Sequence, residues 1–362
     1  MSSIELFAAE PCAWQLASPA SAPLERLHEY LQSFIAPAFH YRVLSDVTLL
    51  GNGFVGLENV SKRLIPETLP FQSISSELST KFSLPSVNQS EVERLRQLSL
   101  LPPSHRLEGA VCCLMDLRNW SSSYFHWCID SLPRVLAAED YMRRSGERCL
   151  LLVPSNMRPW QLESLSILGW GADRLFPIDI SFPIRSVAVD RFIACCPRGL
   201  VSNRETPWDA MVPAVVKTLS QRLTQWSPVS STSHSRNRIY LSRGDARNRR
   251  VINEDQVMER LSRCGFQRIF LDGMELHDQI ALFRSASHVI APHGAGLTNL
   301  LFATNAQVLE IFQSKHGVRP DYFQIASILG HSYHPLVCES HNLRDDIHIE
   351  LSLLEPFLAA YL

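Results

Sequence analysis

The sequence predicts an α/β protein divided into two domains, and three observations carry that expectation. Between about residues 236 and 338, short apolar runs alternate with segments of helical periodicity, the pattern that builds a parallel sheet covered on both faces. The stretch Ser227 to Arg238 has five serines, a proline and Val229 as its lone aliphatic residue, and reads as an interdomain linker. The chain has 362 residues, 46% hydrophobic and 19% charged, which is too long for one ordinary core and ample for two. The expected divisions are 1–228, irregular over roughly its first 100 residues, a Rossmann-like domain over 229–340, and a helical tail over 341–362 packing back on the first domain.

In the second domain Ile239-Tyr240-Leu241 opens as a strand. A helix over Asn253–Cys264 follows, with Val257 and Leu261 one turn apart, Asn253 as N-cap, Gln256 at the capping-box position and Gly265 at its end. Ile269–Leu271 is the next strand, and Glu275–Ala286 a helix with Leu276, Ile280 and Phe283 on one face. Strands at His288–Ala291, Val308–Phe312 and His334–Val337 alternate with helices at Leu297–Ala303 and Tyr322–Leu329. In the first domain, Val43–Leu50 and Phe54–Glu58 flank Gly51-Asn52-Gly53 as a hairpin. Ala110–Leu114 and Cys149–Val153 are strands, Val187–Val189 and Phe192–Cys195 are extended, and Val135–Arg144 and Trp160–Leu168 are helices. Trp208–Trp226 reads as a long amphipathic helix despite Pro213 near its start.

Composition excludes several classes. Basic and acidic residues number 34 and 36, a net charge of −2, so neither nucleic acid nor an anionic membrane is an expected partner. Nine cysteines show no CxxC spacing, which argues for buried reduced thiols over a disulfide framework or a zinc site. Met1–Ala20 carries Glu5 and Glu10 and no basic run, so no secretory signal is expected there. Ser285–Leu309 has no Lys, Arg, Asp or Glu, but Pro292, Gly294, Gly296, Thr298 and Asn299 make a strand, a turn and a buried helix the better reading than a transmembrane span.

Three segments carry chemistry. In Ala291-Pro292-His293-Gly294-Ala295-Gly296-Leu297-Thr298-Asn299 a buried strand ends, two glycines admit close approach of a ligand, and a helix begins whose first N–H groups favour an anion such as a diphosphate. His293 and Thr298 add donors; the bland reading is a tight turn without a ligand. The loop Ser242-Arg243-Gly244-Asp245-Ala246-Arg247-Asn248-Arg249-Arg250 follows the first strand of the same domain. Ligands of open α/β sheets bind at the carboxyl ends of strands, so Arg243 and Arg249 or Arg250 are expected to face the crevice of His293, unless the loop is a solvated basic turn. In Phe125-His126-Trp127-Cys128-Ile129-Asp130-Ser131-Leu132-Pro133-Arg134, His126, Asp130 and Arg134 are four apart and share a face if the segment is helical. Pro133 would kink that helix or start a new one, leaving Asp130 or Ser131 as a mere N-cap, so base catalysis and capping both stand.

Together these segments resemble the family 61 glycosyltransferases. The C-terminal match runs from Arg238-Ile239-Tyr240-Leu241-Ser242-Arg243 through Asn253-Glu254, Gly265-Phe266 and Gln279–Phe283 to the His293 turn and Leu309-Glu310-Ile311; the front match is Phe125-His126-Trp127 through Asp130 to Leu132-Pro133-Arg134. The resemblance implies two Rossmann-like domains facing a cleft, the GT-B-type architecture. It implies inverting transfer from a nucleotide-diphosphate sugar, usually UDP-linked, to a hydroxyl of a glycan or other acceptor, as in polysaccharide biosynthesis. On it, Asp130 or His126 is the base. Ser242, Arg243, Arg249, His293, Gly294, Ala295, Gly296, Thr298, Asn299 and Glu310 bind the donor, with Glu310 either accepting from the ribose hydroxyls or standing as an ordinary strand-end carboxylate, and Arg134 and Trp127 serve acceptor or structure. No cofactor is expected, and without an Asp-x-Asp pair no metal is implied. The missing signal anchor points to a bacterial-type cytoplasmic protein, with peripheral attachment to the inner membrane left open. The alternative from another class is a catalytically silent nucleotide- or carbohydrate-binding protein of the same fold. A dinucleotide oxidoreductase would need GxGxxG after the first strand, where an arginine-rich loop stands instead.

Overall fold

The computed structural model describes residues 3–17, 31, 33–51, 55–68, 95, 97–115, 122–179, 186–201, 208–225, 237–315 and 318–361. The expected turn Asn52-Gly53, most of the linker after Ser227, and Asn119–Ser121 lie outside them. The chain forms two compact units: Met1–Glu10 with Ile35–Val215, and Pro11–Phe34 with Val216–Leu362. Among the described residues no helix is long and apolar enough to cross a membrane.

The first unit is built on strands β1 (Ile4–Phe7), β2 (Phe39–Leu50), β3 (Val55–Glu58), β4 (His105–Cys113), β5 (Cys149–Pro154), β6 (Leu175–Ile178) and β7 (Ser186–Cys195). Their order is β1-β2-β7-β4-β5-β6, with β3 on β2. Strands β7, β4, β5 and β6 are mutually parallel, while β1, β2 and β3 add antiparallel pairs. The sheet is therefore mixed, and the Rossmann-like expectation describes only its parallel half. Two apolar runs that the sequence separated, Val187–Val189 and Phe192–Cys195, are one strand. Helices α1 (Arg134–Ser145) and α2 (Pro159–Ile167) follow β4 and β5 in the chain. The long helix expected over 208–226 is corrected: Trp208–Met211 is a strand, β9, paired with β8 (Arg198–Val201), and α3 spans Pro213–Gln225. Proline lacks the N–H an interior turn needs and is tolerated in the first turn, so the helix begins at Pro213.

The second unit carries β10 (Asn237–Leu241), α4 (Glu254–Ser262), β11 (Phe266–Ile269), α5 (Leu276–Ser285), β12 (Ala286–Pro292), a 3₁₀ helix Ala295–Phe302, β13 (Gln307–Gln313), α6 (Asp321–Leu329) and β14 (Ser332–Cys338). All neighbours in the order β11-β10-β12-β13-β14 are parallel. Central strands buried on both faces read as unbroken apolar runs, and Val289–Pro292 are all buried. The strand expected at Ile269–Leu271 lies three residues earlier, because Phe266 enters the core while Phe270 stays 46% exposed. Asn253 makes no cap hydrogen bond; its side chain instead donates to the Ile349 carbonyl and accepts from the Ile349 N–H. The tail is also corrected. Ile347, Ile349, Leu354, Phe357 and Leu358 share a core with Tyr240, Val257 and Leu261 of the second unit, where their apolar surface is removed from water.

Candidate active site

The order of the second sheet reverses at β10, which has β11 on one side and β12 on the other. Loops at the carboxyl ends of such strands form the crevice of an open α/β sheet. The loop after β10 carries Ser242 and Arg243, and the loop after β12 carries His293 and Gly294. The two are in contact: a Cβ on Gly294 would overlap Arg243 Nη1, and one on Gly296 would sit 2.8 Å from Leu271 Cδ1. Gly294 has extended backbone (φ 177°), so its requirement is space for the guanidinium. Arg249 Nη1 donates to the His293 carbonyl at 3.3 Å, and Arg243 Nη2 to the Asn248 carbonyl at 3.2 Å. Buried Arg243 Nε has no hydrogen-bond partner among the described residues. Burial and the mutual repulsion of the two guanidiniums push the Arg243 pKa down; burial does the same to Arg249, with Arg319 adding repulsion. The turn thus concentrates positive charge with main-chain partners, a poor arrangement for a structural ion pair and a good one for a phosphate guest.

Several other expected donor residues have partners within the protein. His293 Nδ1 lies 2.5 Å from Glu310 Oε1, and Tyr333 donates to Glu310 Oε2 at 2.5 Å. Glu310 is fully buried and both oxygens are taken, so it holds His293 and does not reach out to a ribose. Burial raises its pKa despite these two bonds. Asn299 Nδ2 donates to Gln279 Oε1, whose amide nitrogen in turn donates to the Met274 carbonyl, so Asn299 pins the start of α5. Thr298 is fully buried. Ser242 donates to the Glu254 carboxylate and accepts from the Gly244 N–H, shaping the turn. The helix at the glycines begins at Ala295, before Gly296, and is 3₁₀, with Leu297 N–H closing on the Gly294 carbonyl.

In the first unit, Tyr124–His126 is α-helical and Trp127–Ser131 widens into a π turn closed by Leu132 N–H on the Trp127 carbonyl. Pro133 has no N–H to give Ile129, and the wide turn absorbs that loss. Asp130 is not a cap. His126 Nδ1 lies 2.6 Å from Asp130 Oδ2, and Arg198 Nε lies 2.5 Å from Asp130 Oδ1. Burial opposes the carboxylate, but Arg198's charge and the bonds from His126 and Arg198 outweigh it, and the Asp130 pKa falls. Arg198 was not singled out from the sequence; its one signal is a lone charge directly after the uncharged run Phe192–Pro197. Arg134 donates to the carbonyls of Asp130, Cys113 and Met115, tying the π turn to the end of β4. Trp127 is fully buried, with its indole N–H on Ser164, so it serves packing and not an acceptor.

The family model of Glycosyltransferase 61 matches residues 124–309, just over half of the 362. The chain belongs to the glycosyltransferase 61 family. Its matched span contains the His126–Asp130 pair, Arg198, both arginines and the His293 turn. A Beta-1,2-xylosyltransferase of Arabidopsis thaliana is 34% identical over 101 residues, covering 24% of this chain. The match spans only 19% of that protein's length. Among the described residues of this family 61 chain, no three His, Cys, Asp or Glu side chains gather as a metal site.

Proposed function

We propose that the chain is an inverting glycosyltransferase of GT-B type, its two α/β units dividing donor and acceptor duties. It moves a sugar from a UDP-linked donor to a hydroxyl of a glycan or other acceptor. One observation carries the reading: half-buried Arg243 and Arg249, without carboxylate partners among the described residues, flank the switch point of a parallel sheet. A diphosphate would supply the missing counter-charge, and two guanidinium forks suit its oxygens. The xylosyltransferase relative leaves a pentosyl donor within range of the proposal.

His126 takes the role of base. Asp130 is kept ionised by Arg198, which lowers its proton affinity and makes it the residue that orients the ring. With Nδ1–H turned to Asp130, Nε2 carries the basic lone pair. Nε2 removes the acceptor hydroxyl proton as its oxygen attacks the anomeric carbon; the bond to the diphosphate breaks on the opposite face. Negative charge grows on the departing diphosphate, where fixed guanidiniums lower the barrier. In this reading they replace a metal, and transfer survives chelation. Nine free thiols fit a reducing compartment such as the cytoplasm.

The test is a thermal-shift series with nucleotides, since a ligand that binds only the folded state raises the melting temperature. UDP should raise it in the wild type and fail to do so in Arg243→Ala. A flat response to every uridine compound overturns the proposal.

A further inference from the structure

Arg249 stands at φ 58°, a left-handed backbone that disfavours any residue with a side chain, so its turn needs an external hold. That hold comes from nearly a hundred positions away. Arg249 N–H donates to the Arg344 carbonyl at 3.0 Å, and Ile347 N–H returns to the Arg250 carbonyl at 2.9 Å. Between them sits Asp346, fully buried. Its Oδ1 accepts from Arg250 N–H at 2.9 Å, and its Oδ2 accepts from Arg250 Nη2 at 3.0 Å and Asn342 Nδ2 at 3.1 Å.

Main-chain pairing alone could dock this segment, and Val251 already bridges Ile347. The buried carboxylate does something more specific: it sorts two adjacent arginines. Arg250 is turned onto Asp346, and Arg249 is left pointing its guanidinium at the His293 carbonyl. Burial works against the Asp346 charge, yet the bonds from Arg250 and Asn342 hold its pKa down at about 2, so the clamp stays charged at any working pH. Asp346 lies beyond the matched span 124–309.

We propose that Asp346 is a positioning residue of the donor site, which by gripping Arg250 fixes the turn that presents Arg249 to the diphosphate; this rests on the UDP-sugar reading above. The test uses the full chain, UDP as probe and calorimetric titration. Asp346→Asn keeps an oxygen for the Arg250 N–H but loses the charge, and Arg250→Ala removes the partner from its exposed side. Both should raise the UDP Kd about tenfold, the scale of one lost charge-assisted hydrogen bond. Asp346→Ala, where it folds, should raise it further. Arg260→Ala is the control, because it cuts the Arg260–Glu355 pair that ties down the same tail far from the loop. It should lower the melting temperature and leave UDP affinity alone. Unchanged affinity in both Asp346→Asn and Arg250→Ala, or equal weakening by Arg260→Ala, overturns the proposal. UDP that binds the wild type and is weakened by Arg243→Ala, yet ignores the Asp346 variants, overturns this inference alone. UDP that never binds overturns both.

Discussion

The molecule contains two histidine–carboxylate pairs of nearly the same geometry and opposite electrostatics. His126 meets Asp130 at 2.6 Å and His293 meets Glu310 at 2.5 Å, each through Nδ1. The difference lies in the carboxylate's next partner. Asp130 has the Arg198 guanidinium, and its pKa is lowered; Glu310 has the Tyr333 hydroxyl, and burial raises its pKa. Access differs as well: the His126 side chain is 25% exposed and that of His293 7%. His293 is packed against Phe312 and Tyr322, with its carbonyl turned to Arg249. A full charge behind an accessible imidazole suits proton transfer. A buried carboxyl behind a packed imidazole suits holding a ring still.

The largest test of that contrast exchanges the two histidines' expected losses. His126→Ala should lower turnover by about 10²- to 10⁴-fold, the range of general base catalysis, with UDP affinity intact. His293→Ala should weaken UDP binding and spare turnover at saturating donor. Initial rates over a donor series, with calorimetry alongside, separate the two; equal turnover losses would erase the distinction.

Arg198→Leu comes next, because it removes the feature that sets Asp130 apart from Glu310. Asp130's depressed pKa means that its stabilisation is present above the unfolded carboxylate value of about 3.9 and fades as pH falls through the folded value. Without Arg198 the folded pKa rises and that margin is lost. Acid unfolding followed by circular dichroism should therefore begin at higher pH in the variant, and the broken pair should cost up to about 3 kcal/mol at neutral pH. An acid transition at the wild-type pH would show that Arg198 does not set Asp130's charge.

The contrast also explains what the sequence could reveal. The five-stranded parallel sheet was legible because each of its strands is a short apolar run between helical segments, as at Val289–Pro292. The antiparallel half of the first sheet was less so, since Phe39–Leu50 alternates and its partners are scattered along the chain. His126 with Asp130, and the arginine loop with the His293 turn, were readable from local spacing and from the end of a strand. Arg198 and Asp346 were not, because each acts on a partner 68 or 96 positions away, and no local pattern encodes such a contact. Glu310 and Asn299 were visible as polar residues in apolar runs, but only the fold says that their partners are Tyr333, His293 and Gln279.

Gly294→Ala has a smaller expected effect and probes the second pair's surroundings. The added methyl displaces Arg243, so UDP should bind about tenfold more weakly, as for loss of one charged contact. His126-dependent turnover at saturating donor should change little. Unaltered UDP affinity would mean that Arg243 does not work from where it lies.

The mildest effect is expected from Glu310→Gln, read as the pH dependence of the melting temperature. Because the Glu310 pKa is raised in the folded chain, its contribution to stability is fully present below the unfolded value and is lost as pH rises through the folded one. Glutamine keeps the oxygen that accepts from Tyr333 and cannot ionise. The variant should therefore lose less stability than the wild type as pH rises above the unfolded glutamate value of about 4.3. For Asp130→Asn the sign reverses and the window lies lower: the variant should lack a contribution that the wild type gains as pH rises from the depressed folded value to the unfolded aspartate value of about 3.9. Parallel melting curves for wild type and Glu310→Gln would mean that Glu310 is charged in the native state, and that its bond to His293 is an ion pair of the same kind as the one at Asp130.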